Sequence, residues 1–204
     1  MNFGRSSYKT EYGIQMYICP IQCDKILEVD VNRQRVRVET GITIGELVEA
    51  LKPFNLTLQN FASIREQQVG GFVQAGCHGT GALIPPVDEQ VVEMKIVTPG
   101  LGTIVLDSNS SLSNIENIVK KEEDERNKIT TNDKGDDSKD LFYLARVGMG
   151  LLGVVTEVTL QCVPRHRLIE HTYVLSADSI HEGHEERIKK HKHMRYMWIP
   201  YTVT

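Results

Sequence analysis

Residues 62–82 hold five glycines, Gly70, Gly71, Gly76, Gly79 and Gly81, among small and polar side chains, with Cys77 and His78 between them. Glycine costs backbone entropy on folding, so a cluster of this kind belongs where the chain needs positive φ, or where backbone must approach a bound group with no side chain between. A glycine-rich turn joining two elements meets the same description. The wording of the stretch favours a contact surface: Ala62-Ser63-Ile64, then Val69-Gly70-Gly71, then Gly76-Cys77-His78-Gly79-Thr80-Gly81, followed by Asp88-Glu89-Gln90-Val91. His78 is either a hydrogen-bonding residue beside a ligand or a core histidine satisfied by backbone. A second pattern, Gly148-Met149-Gly150-Leu151-Leu152-Gly153, fits GxGxxG. A dinucleotide turn requires a strand before it and a helix after. Here the order is inverted, and the nicotinamide reading is rejected.

Stepping outward, Leu27, Val29 and Val31 share one face of a strand, as do Val36 and Val38, with Asn32-Arg33 between them, which predicts a hairpin with one buried face. Thr43 followed by Glu46 is a capping box, and Ile44, Leu47, Val48 and Leu51 keep helical spacing up to Pro53. After the glycine stretch, Val92, Met94 and Ile96 alternate with polar residues, and residues 99–102 turn the chain into a second strand over 103–106. Residues 107–139 shift to Ser, Asn, Asp, Glu and Lys, with residues 120–126 as a charged centre. Such a segment reads as a solvated, dispensable insertion. Ser138 is placed to cap a helix through Leu141, Leu144 and Ala145. A strand follows in which Val154, Thr156, Val158, Leu160 and Cys162 alternate with polar residues. Beyond Pro164 the sequence predicts an extended run over 168–175, a polar helix near 180–190 and an aromatic strand over 196–199.

With 204 residues, 40% hydrophobic content and a formal net charge of −4, the chain can build an ordinary core and lacks the basic surface that nucleic-acid binding relies on. No apolar run is long enough to cross a bilayer. The four cysteines, Cys19, Cys23, Cys77 and Cys162, are too few and scattered for a disulfide scaffold, which points to a reducing compartment. Neither Cys19 with Cys23 nor the histidines His181, His184, His191 and His193 meets ligand spacing for zinc, so no metal is expected. The first residues show neither a secretory signal nor a transit peptide.

The quoted stretches closely resemble the flavin-binding domain of the vanillyl-alcohol oxidase superfamily and, within it, the aldonolactone oxidoreductases, the galactonolactone dehydrogenases among them. The resemblance runs from Asp24 to the end of the chain, broken by the insertion, where relatives have a short link. It implies an α+β fold, an FAD-binding domain of the vanillyl-alcohol oxidase (PCMH) type over 1–165 whose N-terminal part is missing, and the first β-α-β unit of a substrate (cap) domain over 166–204. It implies non-covalent FAD, since Arg5 of Gly4-Arg5-Ser6-Ser7 stands where covalent relatives carry the flavin-linking histidine. Ala62, Ser63, Gln68, Val69, Gly70, Gly71, Gly76, His78, Gly79, Thr80, Gly81, Gly153 and Val154 are the positions carried over as cofactor contacts. Relatives have alanine or threonine at the position of Cys77, and glycine at that of Leu151.

The activity implied is oxidation of an aldono-1,4-lactone, of the L-galactono-1,4-lactone type used in ascorbate biosynthesis, by hydride transfer to the flavin. Ala62 stands where oxidases of the family carry glycine, so it is read as the gate that keeps oxygen out and leaves cytochrome c as acceptor. A mitochondrial setting and peripheral membrane association are implied likewise. Two other readings stay open: a D-arabinono-1,4-lactone oxidase using oxygen, and a non-catalytic remnant of the fold. The lactone-binding residues of the family are expected beyond Thr204, and this chain alone is expected to bind FAD weakly.

Overall fold

The computed structural model describes residues 4–10, 13–19, 23–60, 62–81, 83–99, 102–108 and 138–200. Two strands, β1 (Gly4–Thr10) and β2 (Gly13–Cys19), pair antiparallel as a sheet of their own, with Arg5 opposite Ile18. The main body is a second sheet built from β3 (Ile26–Asp30), β4 (Arg35–Glu39), β5 (Leu56–Leu58), β6 (Val91–Thr98), β7 (Gly102–Asp107) and β8 (Val154–Pro164). Its order is β3-β4-β8-β6-β7, every pairing antiparallel, and β5 pairs the last residues of β8. Both expected hairpins are therefore present, and the longest strand, β8, is the spine.

Register explains the core. Val38 pairs with Val158, Val158 with Met94 and Met94 with Leu106, which sets one apolar row across four strands. All four are buried, as are Val36 and Leu160 in the next row. Each side chain of this size contributes roughly 1.5–3 kcal/mol on burial. Onto this face pack α1 (Ile44–Leu51), α2 (Val69–Gln74) and α3 (Ser138–Arg146), which contribute Leu47, Leu51, Phe72, Val73, Phe142 and Ala145. The opposite face carries a charge ladder in which Arg37 meets Glu28 and Glu157, and Lys95 meets Glu157 at 2.8 Å. Such exposed pairs contribute about 0–1 kcal/mol each, so this face tolerates water and adds little to stability.

Several expectations shift by a residue where the ladder bulges. A register shift between Ile26 and Glu28 turns Ile26 and Val29 toward the core and leaves Leu27 and Val31 exposed, rather than burying Leu27, Val29 and Val31 together. A second shift, opposite Lys95 and Ile96, brings Val155 inward in place of the neighbours its alternation with Val158 would select. A bulge sets two residues of one strand against one of the other, so the period of two restarts after it. In α3 the inward residues are Phe142 and Ala145, while Leu144 is exposed.

The largest departure follows Pro164. The polar helix is present as two, α4 (Ala177–Glu182) and α5 (His184–Lys190), broken at Gly183. Residues 165–176 and 191–200 form no strand, so the β-α-β unit expected of a cap domain is not assembled among the described residues. Ile169, Val174, Met197 and Trp198 are exposed. Strand-like sequence without a neighbouring edge has nowhere to place its backbone donors and acceptors and does not form a ladder. The insertion lies almost wholly outside the described residues.

Candidate functional site

The glycine stretch is built outward from α1. Thr43 caps this helix: its Oγ1 accepts from the Glu46 N–H, and the Glu46 carboxylate accepts from the Thr43 N–H and hydroxyl. These bonds hold the Glu46 carboxyl below the usual carboxylate value. The next two donors of the first turn, the N–H groups of Ile44 and Gly45, bond to the carbonyls of Gln67 and Arg65, each at 2.9 Å. A helix leaves its first N–H groups without internal partners. Here the 65–67 loop supplies partners for two of them, and that fixes the loop. Gly45 permits the approach, since a Cβ there would lie 3.3 Å from the Arg65 carbonyl oxygen.

The loop runs into α2 through Gln68, whose backbone bridges Thr43. The Val69 N–H bonds to the Ile42 carbonyl and the Gly70 N–H to the Thr40 carbonyl. Thr40 is itself buried and ties β4 to β8 through its N–H and hydroxyl, bonded to Thr156 and Val155 carbonyls. At the other end α2 closes in a Schellman motif: the Gly76 N–H reaches the Val73 carbonyl and the Cys77 N–H the Phe72 carbonyl, with Gly76 at φ 59°. This is the left-handed residue that ends a helix and that glycine adopts without a Cβ penalty.

What a Cβ would meet sorts the expected contacts. At Gly70 it would lie 2.9 Å from Cβ of the buried Thr40, so the fold itself calls for glycine there, while at Gly81 it would lie 2.6 Å from the tip of Ile84, a side chain that can turn aside. At Gly153, with φ 143°, it would lie 2.2 Å from the Val97 carbonyl oxygen, where β8 leaves its turn beside β6. Val69 is buried, and the amides of Val69, Gly70 and Gly76 already serve protein carbonyls. Gly71 differs: it is exposed, and a Cβ there would meet nothing within 4 Å. Ser63, His78 and Thr80 are exposed, Gly79 and Val154 are half-buried, and Ala62 and Cys77 pack partly buried against the core. His78 is thus no core histidine. Gly71, His78 and Thr80 are the exposed positions among the expected glycine-segment contacts, and at Gly71 the backbone is bare of any side chain, as the approach of a bulky planar or phosphorylated group requires.

One residue that sequence reading passed over joins the two glycine stretches. Gln74 of α2 donates from Nε2 to the Ala145 carbonyl at 2.6 Å, and its Oε1 accepts from the Gly150 N–H at 3.3 Å. Its backbone carbonyl also accepts from the Met149 N–H. The signal available was a lone glutamine in an otherwise apolar helix. The GxGxxG segment follows α3 and precedes β8, which agrees with rejection of a Rossmann turn. Among the described thiols Cys23 and Cys162 are buried, and burial pushes the Cys162 thiol up to about 12. Among the described residues no group of three His, Cys, Asp or Glu comes together as a metal site, and no helix is long and apolar enough to cross a membrane.

An antiparallel sheet with helices on one face, carrying this ordered glycine segment, is that of a flavoprotein domain: the FAD binding domain family matches residues 11–107. Of the chain, 89% is 52% identical to L-galactono-1,4-lactone dehydrogenase 2, mitochondrial, of rice (Oryza sativa subsp. japonica), covering 26% of that protein. The corresponding dehydrogenase of Arabidopsis thaliana is 50% identical over 89% of the chain and 25% of the relative. L-gulonolactone oxidase of Bos taurus is 29% identical over 88% of the chain and 34% of the relative. The chain is similar over most of its length to aldonolactone oxidoreductases, and FAD is the cofactor its matching domain is named for. It spans about a quarter of the length of the dehydrogenases it matches.

Proposed function

We propose that this chain is the flavin-contacting part of an FAD-dependent aldonolactone dehydrogenase, acting on an L-galactono-1,4-lactone type of substrate and passing electrons to cytochrome c in the mitochondrion. The observation that carries the reading is the contrast in likeness: about half the residues are shared with dehydrogenases over nine-tenths of the chain, against 29% with the oxidase of cattle. Bound FAD would accept hydride from the carbon bearing the oxidised hydroxyl of the lactone. The chain's own residues do the positioning. Gly71 offers exposed backbone without an intervening side chain, and His78 and Thr80 offer exposed polar side chains. Ala62 packs partly buried against the core, which gives its methyl a defined place. Arg5, in place of a flavin-linking histidine, fits FAD held without a covalent bond.

A methyl at position 62 beside the reduced flavin would fill the small space oxygen needs, whereas electron transfer to a protein carrier does not require that space. In FAD-loaded protein, Ala62→Gly is expected to speed reoxidation by oxygen and leave lactone-dependent flavin reduction nearly unchanged, because hydride transfer depends on substrate position. Stopped-flow mixing of reduced protein with oxygenated buffer measures this. Equal reoxidation rates for the two proteins would remove the gate and return the oxidase reading.

A further inference from the structure

Helix α3 buries one side only. Phe142 and Ala145 are buried in the core, while Tyr143 and Leu144, with Val147 just past the helix end, are 50%, 66% and 40% exposed. A single exposed apolar residue is ordinary, but three at i, i+1 and i+4 make a stripe of the kind that packs on another element. The stripe is also braced. The guanidinium of the buried Arg146 lies 4.5 Å from the ring centroid of Tyr143 and 5.3 Å from that of Phe142, which holds Tyr143 in its outward position.

The occupant is in the chain. The insertion leads directly into α3, and four of the five apolar residues between 109 and 137, namely Leu112, Ile115, Ile118 and Val119, fall within eight positions. Ser113 with Glu116 three residues on has the spacing of a capping box, the signature that opens α1 at Thr43 and Glu46. Ile115, Ile118 and Val119 then follow at i, i+3 and i+4, one face of a helix. We propose that residues 114–119 form a short helix whose apolar face covers Tyr143, Leu144 and Val147. The insertion is then a built-in partner for α3, and only its charged remainder from 120 onward is solvated and dispensable. The tether permits this, since α3 rises about 1.5 Å per residue over its nine residues, whereas residues 120–137 can extend about 3.3 Å each. A segment tied so close meets the face at high effective concentration, which offsets the small size of the contact.

Replacement by Gly/Ser of equal length tests this in the 204-residue chain. With 112–119 replaced, the melting temperature is expected to fall by about 2–4 °C, the shift of a modest contact in a chain of this size. Fluorescence of an anilinonaphthalene sulfonate dye, which binds bared apolar surface, should rise. Replacing 122–134 should leave both at the parent values. A dye signal that holds or falls when 112–119 are replaced would show that the segment covers nothing and would overturn the proposal. Leu144→Asp and Ile115→Asp resolve the contact itself: each should lower the melting temperature, and the pair together by less than the sum, because the two residues touch. An additive pair, or Leu144→Asp without effect, would overturn it. So would sedimentation showing a dimer that Leu144→Asp breaks and the 112–119 replacement keeps, since a second copy would then cover the face.

Discussion

The chain carries two glycine-rich stretches, 68–81 and 148–153, and glycine is present in them for different reasons. In 148–153 the demand is internal. Gly150 and Gly153 take positive φ as the chain turns from α3 into β8, and Gly153 passes so close to Val97 that no side chain fits. In 68–81 the demand is mixed: Gly76 ends a helix, Gly70 and Gly81 lie against Thr40 and Ile84, and Gly71 faces open space. A count of glycines therefore does not map a ligand surface. The discriminating quantities are what a methyl group would meet and the sign of φ, and Gly71, with open space and no positive φ, is left for something outside the chain.

The sharpest way to break this contrast is Gly153→Ala. The added Cβ would lie 2.2 Å from a backbone oxygen at a φ of 143°, so β8 must move from β6 or the strand must start later. Both strain and overpacking act, and a loss of about 3 kcal/mol or more is expected in chemical denaturation. A loss under about 1 kcal/mol would show that the turn adapts and that glycine there is not a demand of the fold.

A middle-sized effect tests how the 65–67 loop is held. Thr43→Ala removes the side-chain cap of α1 and is expected to cost about 1 kcal/mol at neutral pH. The sign with pH follows from Glu46, whose carboxyl lies below its ordinary value because of its bonds to Thr43. A carboxylate with a depressed folded value stabilises above its unfolded value, and that contribution is lost as pH falls through the folded one. The gap between parent and variant should thus narrow on acidification. Melting curves across mildly acidic pH check it, and a constant gap would mean that the carboxylate adds nothing to the cap.

Sequence made much of the body legible because its signals are local. Thr43 and Glu46 sit three apart as a capping box requires, and the alternation in β4, β6 and β8 marks the face that Val38, Met94 and Val158 bury. Bulges were not legible: the residues at 26–28 and 154–156 read as plain alternation, and only pairing with a partner strand decides where the period slips. Residues 168–175 and 196–199 failed for a related reason, since β pattern needs an edge to join and these have none among the described residues. At the site, the segment was legible but its division of labour was not. The pairing of Gly70 with Thr40 and the grip of Gln74 on Ala145 and Gly150 are contacts between residues 30 to 76 positions apart, which spacing along the chain cannot show.

The smallest effect on the fold carries the most information on function. Gly71 lies within α2 with an ordinary helical backbone, exposed, with free space where a methyl would go. Glycine in a helix is destabilising relative to alanine, chiefly through the entropy of the unfolded chain, so Gly71→Ala is expected to stabilise the protein by roughly 0.4–1 kcal/mol. If FAD approaches this backbone, the same methyl stands between them and binding weakens. The two observables then move in opposite directions, which no general loss of structure can imitate and which Gly153→Ala cannot show. Thermal melting beside titration with FAD decides the matter. A stabilised variant with unaltered FAD binding would place the cofactor elsewhere and leave Gly71 as a glycine that neither the fold nor the ligand requires.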